Sequence, residues 1–256
     1  MQNTAFRRGA VAASAVSLAL LLSACGGDKK DDSKSSNGAK DDTKKSAPAK
    51  TQAELDKLAI ATADLKDPKI KHEVKPALAS EIKDAASAKS DKTECATVTK
   101  VMAGGAPGEP AASVSRKIAS GQEPKKSDKP EEQALESLEA LKDMSVSMLT
   151  LASYEGDGAT KAMADLKKSG EACGAGFTST IKSDKTKVTK LAPATYAGGD
   201  EALAYTVSVD AEGTAVQAPV VVIRKGNEVF SVFSFNLSGK SEQPKAVIDA
   251  QLKKLG

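Results

Sequence analysis

The sequence predicts an α+β fold in which an antiparallel sheet, centred on a C-terminal meander, packs against several helices in one domain. Three observations carry this expectation. Apolar residues alternate strictly with small or polar ones from Leu203 to Val209, and the apolar-rich stretches Val216 to Ile223 and Glu228 to Phe235 follow across short turns at 210–213 and 224–227; three such strands in succession make a meander. Elsewhere apolar residues recur at helical spacing, as in Leu55, Leu58 and Ala59 or in Val247, Ile248, Leu252 and Leu255. Every Phe and Tyr after residue 24 lies between Tyr154 and Phe235, which places the main core in the second half of the chain.

Residues 1–24 read as an export signal: Arg7 and Arg8, an apolar run from Ala10 to Leu22, and small residues before Cys25. That run is too short for a comfortable permanent span. Leu22-Ser23-Ala24-Cys25-Gly26 matches a lipobox, the pattern at which a cysteine thiol is diacylated and becomes the start of the mature chain. Each buried methylene adds about 0.8 kcal/mol of membrane affinity, so two acyl chains make a lasting anchor. Cys25 is therefore the expected lipidation site, holding the protein on the extracytoplasmic face of the cell membrane. Residues 25–50 then form a linker, which after Cys25 contains no Leu, Val, Ile or aromatic residue. Such a segment cannot offset the entropy of ordering and is expected to be a disordered tether.

Residues 51–256 make up the expected domain. Thr51-Gln52-Ala53-Glu54 is a capping-box pattern. The helix it opens, with Leu55, Leu58, Ala59 and Thr62 on one stripe, is expected to stop before Pro68. Ile70, His72 and Val74 alternate in a short strand ending at Pro76. A weaker helical stretch falls within 76–88. Val98 to Met102 follows Cys95, and residues 104–128 read as a long loop broken by Pro107, Pro110 and Pro124, with Val114 to Ile118 as an edge strand inside it. Leu135, Leu138 and Leu141 mark a helix opening near Pro130, since proline is tolerated in a first turn. Met144, Val146 and Met148 alternate on a strand. Asp157 is placed to cap a helix carrying Ala159, Ala162, Met163 and Leu166, which Gly170 is expected to end. Ser241 is expected to cap the final helix, whose apolar side covers one face of the meander.

Cys95 and Cys173 are the two remaining cysteines. In an oxidising extracytoplasmic space such a pair is expected to form a disulfide, contributing roughly 4–5 kcal/mol by chain entropy. Neither lies in a Cys-x-x-Cys setting, which disfavours a redox role. His72 is the only histidine; this excludes multi-histidine metal sites and makes a serine-histidine triad hard to assemble. We read it as a structural strand residue, with ligand contact as the functional alternative. The tetrads Ser80-Glu81-Ile82-Lys83 and Ser179-Thr180-Ile181-Lys182 match the start of penicillin-recognising sites, but the companion motifs Ser-Asp-Asn and Lys-Thr-Gly are missing. Asp157 and Asp200 suit cap and turn roles better than calcium ligation. Arg224 ends the most apolar strand as the first polar position of a turn, with anion contact as its alternative. No cofactor motif is present. The net charge of +3 becomes +1 once Arg7 and Arg8 are removed with the signal, so there is no concentrated basic face for nucleic acid.

One order of features remains: a lipobox and polar tether, a Leu-rich helix followed by Ala63-Asp64-Leu65-Lys66-Asp67-Pro68, a first cysteine after a helical stretch, and a second at Leu166-Lys167-Lys168-Ser169-Gly170-Glu171-Ala172-Cys173. The run Val220-Val221-Val222-Ile223-Arg224-Lys225-Gly226-Asn227 then precedes the last strand. In this order the chain resembles the actinobacterial sensor-domain lipoproteins, which are similar to the extracellular domain of PknH-type serine/threonine kinases. The resemblance implies a non-enzymatic sensory or ligand-binding module. That kinase domain carries two disulfides where this chain has cysteines for one, and no ligand-contacting residue carries over by motif. The expected partners are the membrane, through the anchor, and a small molecule, lipid or envelope protein. A lipid or glycolipid carrier and a structural protein-interaction lipoprotein are the alternatives. A closed core would remove the carrier; a cleft ringed by polar groups would favour the sensor.

Overall fold

The computed structural model describes residues 48–211, 213–236, 239 and 241–256. The expected export signal, Cys25 and the linker through residue 47 lie outside the described residues. The meander is formed by β7 (Glu201–Ala211), β8 (Thr214–Lys225) and β9 (Glu228–Asn236). It sits inside a larger sheet with β1 (Lys71–Pro76), β2 (Lys89–Ser90), β3 (Ala112–Gly121), β4 (Ser145–Ser153), β5 (Phe177–Ile181) and β6 (Asp184–Ala194). Among the described residues the strand order is β1-β3-β4-β9-β8-β7-β6-β5-β2, and every neighbouring pair is antiparallel.

Helices cover both faces. On one, α1 (Gln52–Leu58) and α6 (Lys245–Leu255) close a core of Leu55, Ile60, Ile118, Leu149, Phe230 and Ile248. On the other, α3 (Ala96–Met102) and α5 (Gly158–Ala172) close a core of Val98, Val101, Met163, Leu166, Val207 and Val220. This explains why Val220-Val221-Val222-Ile223 reads as an unbroken apolar run: Val220 and Val222 face one core, Val221 and Ile223 the other, and all four are fully buried. The eight-residue α2 (Ala79–Ala86) and the fourteen-residue α4 (Pro130–Asp143) complete the described α-helices.

Several expectations are corrected by tertiary contacts. The capping box forms at Thr51 and Glu54 and α1 stops before Pro68, but it already ends at Leu58, so Thr62 lies in a separate 3-10 turn (Thr62–Asp64) rather than on the α1 stripe. Buried Gln251 of α6 stops α1, accepting from Ile60 N–H at 3.1 Å and donating to Leu58 O at 3.0 Å. The presumed long loop at 104–128 contains a ten-residue strand, β3, which is interior and pairs with both β1 and β4; its three prolines all fall outside the strand. On β4 the apolar phase is shifted: Leu149 and Leu151 are fully buried while Met148 is partly covered, because both faces of the strand are packed. Gly170 does not end α5, which continues to Ala172. Ser241 does not cap α6; Pro244 occupies that position. The strands β5 and β6 were not anticipated. Their lysine-rich exposed positions hide an inward row of Phe177, Val188 and Leu191.

Cys95 and Cys173 are joined by a disulfide, with Cα atoms 5.7 Å apart. Both are buried in the α3/α5 core, and Cys173 is the C-cap of α5, so the bond ties the end of that helix to the segment leading into α3.

Candidate functional site

The site begins with where the ladders end. Pro219 lacks an N–H donor, and the β8–β9 register starts only at Val220–Phe233. Beyond it the chain after β9 takes over part of the edge, through Gln217 N–H to Gly239 O at 2.8 Å and Ser241 N–H to Gln217 O at 3.1 Å. The last row of residues across β1, β3, β4 and β9 on the α1/α6 face is His72, Ser120, Ser145 and Asn236; the next is Val74, Ile118, Ser147 and Ser234. Apolar packing resumes across the sheet only with Leu149 and Val232. The start of α6 stands over these polar rows without closing on them.

The result is a cleft of about 730 Å³ whose lining includes His72, Ser120, Ser145, Ser234 and Gln243. This is within the range of about 300–1,000 Å³ usual for small-molecule sites. Its floor is hydrogen-bonded and so held in place. Ser147 Oγ donates to Ser234 Oγ at 2.9 Å, Ser241 Oγ to the same oxygen at 3.4 Å, and His72 Nδ1 and Ser120 Oγ are bonded at 2.8 Å. Gln122, Asp143, Glu242 and Lys245 stand along the lining. The Lys245 ammonium lies 5.6 Å from the centre of the Tyr196 ring, a cation–π distance.

A second cleft of about 580 Å³ adjoins at His72 and is lined by charged groups, among them Asp64, Asp67, Asp249 and Lys254. Asp64 is held below its ordinary pKa by the Ala61 N–H and by Lys254, 3.0 Å away. Asp67 is lowered by the Lys69 N–H. Burial lowers the His72 pKa, opposed by the nearby Asp67 charge. His72 Nε2 is buried with no hydrogen-bond partner among the described residues. The Ser120–His72 pair has the distance of a nucleophile and base, but a base needs a third group to orient it, and no carboxylate holds that nitrogen. Among the described residues, no cluster of three or more His, Cys, Asp or Glu side chains is placed to hold a metal ion. The arrangement offers hydroxyl and amide groups for hydrogen bonding, together with charges of both signs at the rim; the His72 ring is held inward, Nδ1 on Ser120 and Nε2 buried.

Of the residues weighed in the sequence for a ligand or catalytic role, His72 lies in the cleft; Ser241, expected as a cap, and Ile70 and Val247, expected to pack, also line it. Arg224 is engaged by Asp200 and Glu201, at 3.5 and 3.3 Å, so its charge is balanced inside the fold. Asp200 also accepts from Gly226 N–H at 2.6 Å, a turn role. Asp157 is the residue before α5, yet its side chain does not cap; it pairs with Lys161 at 2.9 Å. Ser80 is exposed on α2, and Ser179 is buried on β5 while Lys182 pairs with Asp84 at 2.9 Å, so neither tetrad builds a site. The cleft serines were missed. The signal that could have found them is serine at inward positions of Ser145-Val146-Ser147 and at Ser234, where a fully packed strand end would carry aliphatics.

No family model matches the sequence, and no curated protein matches it. Among solved structures, the extracellular domain of PknH from Mycobacterium tuberculosis is similar at 11% identity and a TM-score of 0.48, over 82% of this chain and 97% of that one. An uncharacterised protein from Mycobacterium smegmatis is similar at 9% identity and a TM-score of 0.38, over 83% and 98%. The functional reading therefore rests on the cleft.

Proposed function

We propose that this chain is an extracytoplasmic module, anchored through acylated Cys25, that binds a small hydrophilic molecule in the cleft between the serine rows and α6. The observation that carries the binding role is the polar cleft itself: both helix–sheet layers pack as closed cores, while the end of the sheet opens onto hydroxyl and amide groups. Buried or half-buried polar groups stay satisfied only by partners of matching polarity, so the ligand class is one rich in hydroxyl or amide groups. A lipid carrier would need a roomy apolar chamber: beneath α1 and α6 the fold is filled with Leu55, Phe230, Ile248 and their neighbours, and the apolar cleft between α4 and the β1/β3 edge holds only about 440 Å³. The anchor reading draws on the lipobox and on the disulfide, which persists in an oxidising compartment.

Native mass spectrometry of the full chain purified from its own host tests the binding role. The expected result is a bound hydrophilic molecule that is lost in Ser145→Leu, which fills the floor. Recovery of a bound lipid, or retention of the same molecule by Ser145→Leu, refutes the reading. Detergent partitioning tests the anchor separately: the native chain is expected in the detergent phase and Cys25→Ser in the aqueous phase.

A further inference from the structure

The helix α4 is amphipathic in the wrong direction for a helix that only covers a sheet. Its half-buried positions are Gln133, Glu136, Ser137 and Ala140, while Leu135, Leu138 and Leu141 are 63%, 51% and 49% exposed. Burying those leucines against the sheet would have needed only a rotation of the pattern, so the monomer leaves about half of the apolar surface of each leucine in water. Glu131, Leu135, Leu138 and Lys142 follow one another at spacings of four, three and four, which places them on a single outward stripe. Among the described residues neither Glu131 nor Lys142 makes an ion pair, whereas Glu132 beside them is held by Lys129 at 2.7 Å.

We propose that this stripe is a seam for a second copy of the chain, with the two α4 helices antiparallel. The stripe is self-complementary in that orientation. A two-fold axis between Leu135 and Leu138 sets each Leu135 against Leu138 of the other copy, and each Glu131 against the other copy's Lys142. Two leucine layers are thus closed at both ends by opposite charges. Ala134 and Leu141 lie along one side of the stripe, where each Ala134 meets Leu141 of the other copy, while Glu132, Glu139 and Asp143 lie along the other, where their side chains extend to solvent. The helix carries five acidic residues and one lysine, which argues against an anionic lipid surface as the occupant, since such surfaces draw basic segments. Fourteen residues span about 21 Å. A pair of helices that short buries less than the roughly 800 Å² per partner of a standard interface, so the dimer is weak and concentration-dependent. It does not depend on the ligand reading.

The test is sedimentation velocity of the full chain carrying Cys25→Ser, so that no acyl group adds association of its own, from low to several hundred micromolar. A reversible monomer–dimer equilibrium is expected. Glu131→Lys alone and Lys142→Glu alone each set like charges against each other at both ends and weaken the dimer roughly tenfold. The double variant Glu131→Lys/Lys142→Glu restores it, and a mixture of the two single variants forms a mixed dimer tighter than either alone. Leu138→Glu abolishes association with an unchanged melting curve. A chain that stays monomeric throughout overturns the proposal, as does a dimer that the single reversals leave intact. Association with phosphatidylcholine vesicles through Leu138, without self-association, also overturns it.

Discussion

Gly170→Ala should destabilise this protein although it improves the helix it sits in. Gly170 lies inside α5, where alanine is favoured over glycine by about 1 kcal/mol. The added methyl, however, would stand 2.5 Å from Cζ and 2.6 Å from Cε1 of Tyr205, against about 3.5–4.0 Å for an ordinary carbon contact. Tyr205 is 5% exposed and packed among Met163, Leu166 and Val207 in the α3/α5 core, so its ring has to move by about 1 Å within a close-packed layer. Overpacking of this kind costs about 1–3 kcal/mol, leaving a net loss of up to about 2 kcal/mol after the helical gain. For a domain of this size that lowers Tm by up to roughly 8 °C. Urea unfolding of the wild type, Gly170→Ala, Tyr205→Leu and the double variant closes a cycle. In the Tyr205→Leu background the penalty should disappear and alanine should become neutral or stabilising, a coupling of about 1–3 kcal/mol. If Gly170→Ala stabilises the wild type, or costs the same with and without the ring, the close approach is not the reason for glycine here.

The disulfide closes a stretch of 78 residues, which in the chain-entropy model is worth roughly 4.5 kcal/mol; Cys95→Ala/Cys173→Ala should lose most of that in urea unfolding, and a loss under about 1 kcal/mol would refute the assignment. Burial holds His72 below its ordinary pKa of 6.5. Just under pH 6.5 the unfolded chain therefore binds a proton that the folded chain does not, so stability falls as pH drops through that window and levels off below the folded pKa. His72→Gln should flatten this part of the pH profile, and an imidazole midpoint above 6.5 by NMR would contradict it. Thr51 accepts from Glu54 N–H in the capping box; Thr51→Ala should cost about 1 kcal/mol, read as a shift in the urea midpoint at constant slope.

Where the sequence misled, neighbours distant along the chain had decided. The stop of α1 depends on Gln251, nearly two hundred residues away, supplying both hydrogen bonds at the helix end. Gly170 looks like a terminator because glycine often ends helices, but here it answers the need for Tyr205 to approach. The leucines of α4 mark the helix correctly, yet their pattern alone does not show that they are left exposed. The cleft was invisible for a similar reason: Ser120, Ser145 and Ser234 are unremarkable in a serine-rich chain until the antiparallel register aligns them with His72 in adjoining rows.

Alternation in β7, the apolar runs of β8 and β9 and the turn residues between them were enough to set the meander, because a short polar turn leaves little choice of register. They also fixed the α+β class, the capping box at Thr51 and the candidate cysteine pair. The tertiary structure alone decided that the sheet is covered on both faces, that β3 is interior, and that the polar ends of several strands meet beneath α6. The physical reason is that local pattern reports how a segment orients its own side chains, whereas a cleft exists only where segments far apart in sequence stop packing against one another.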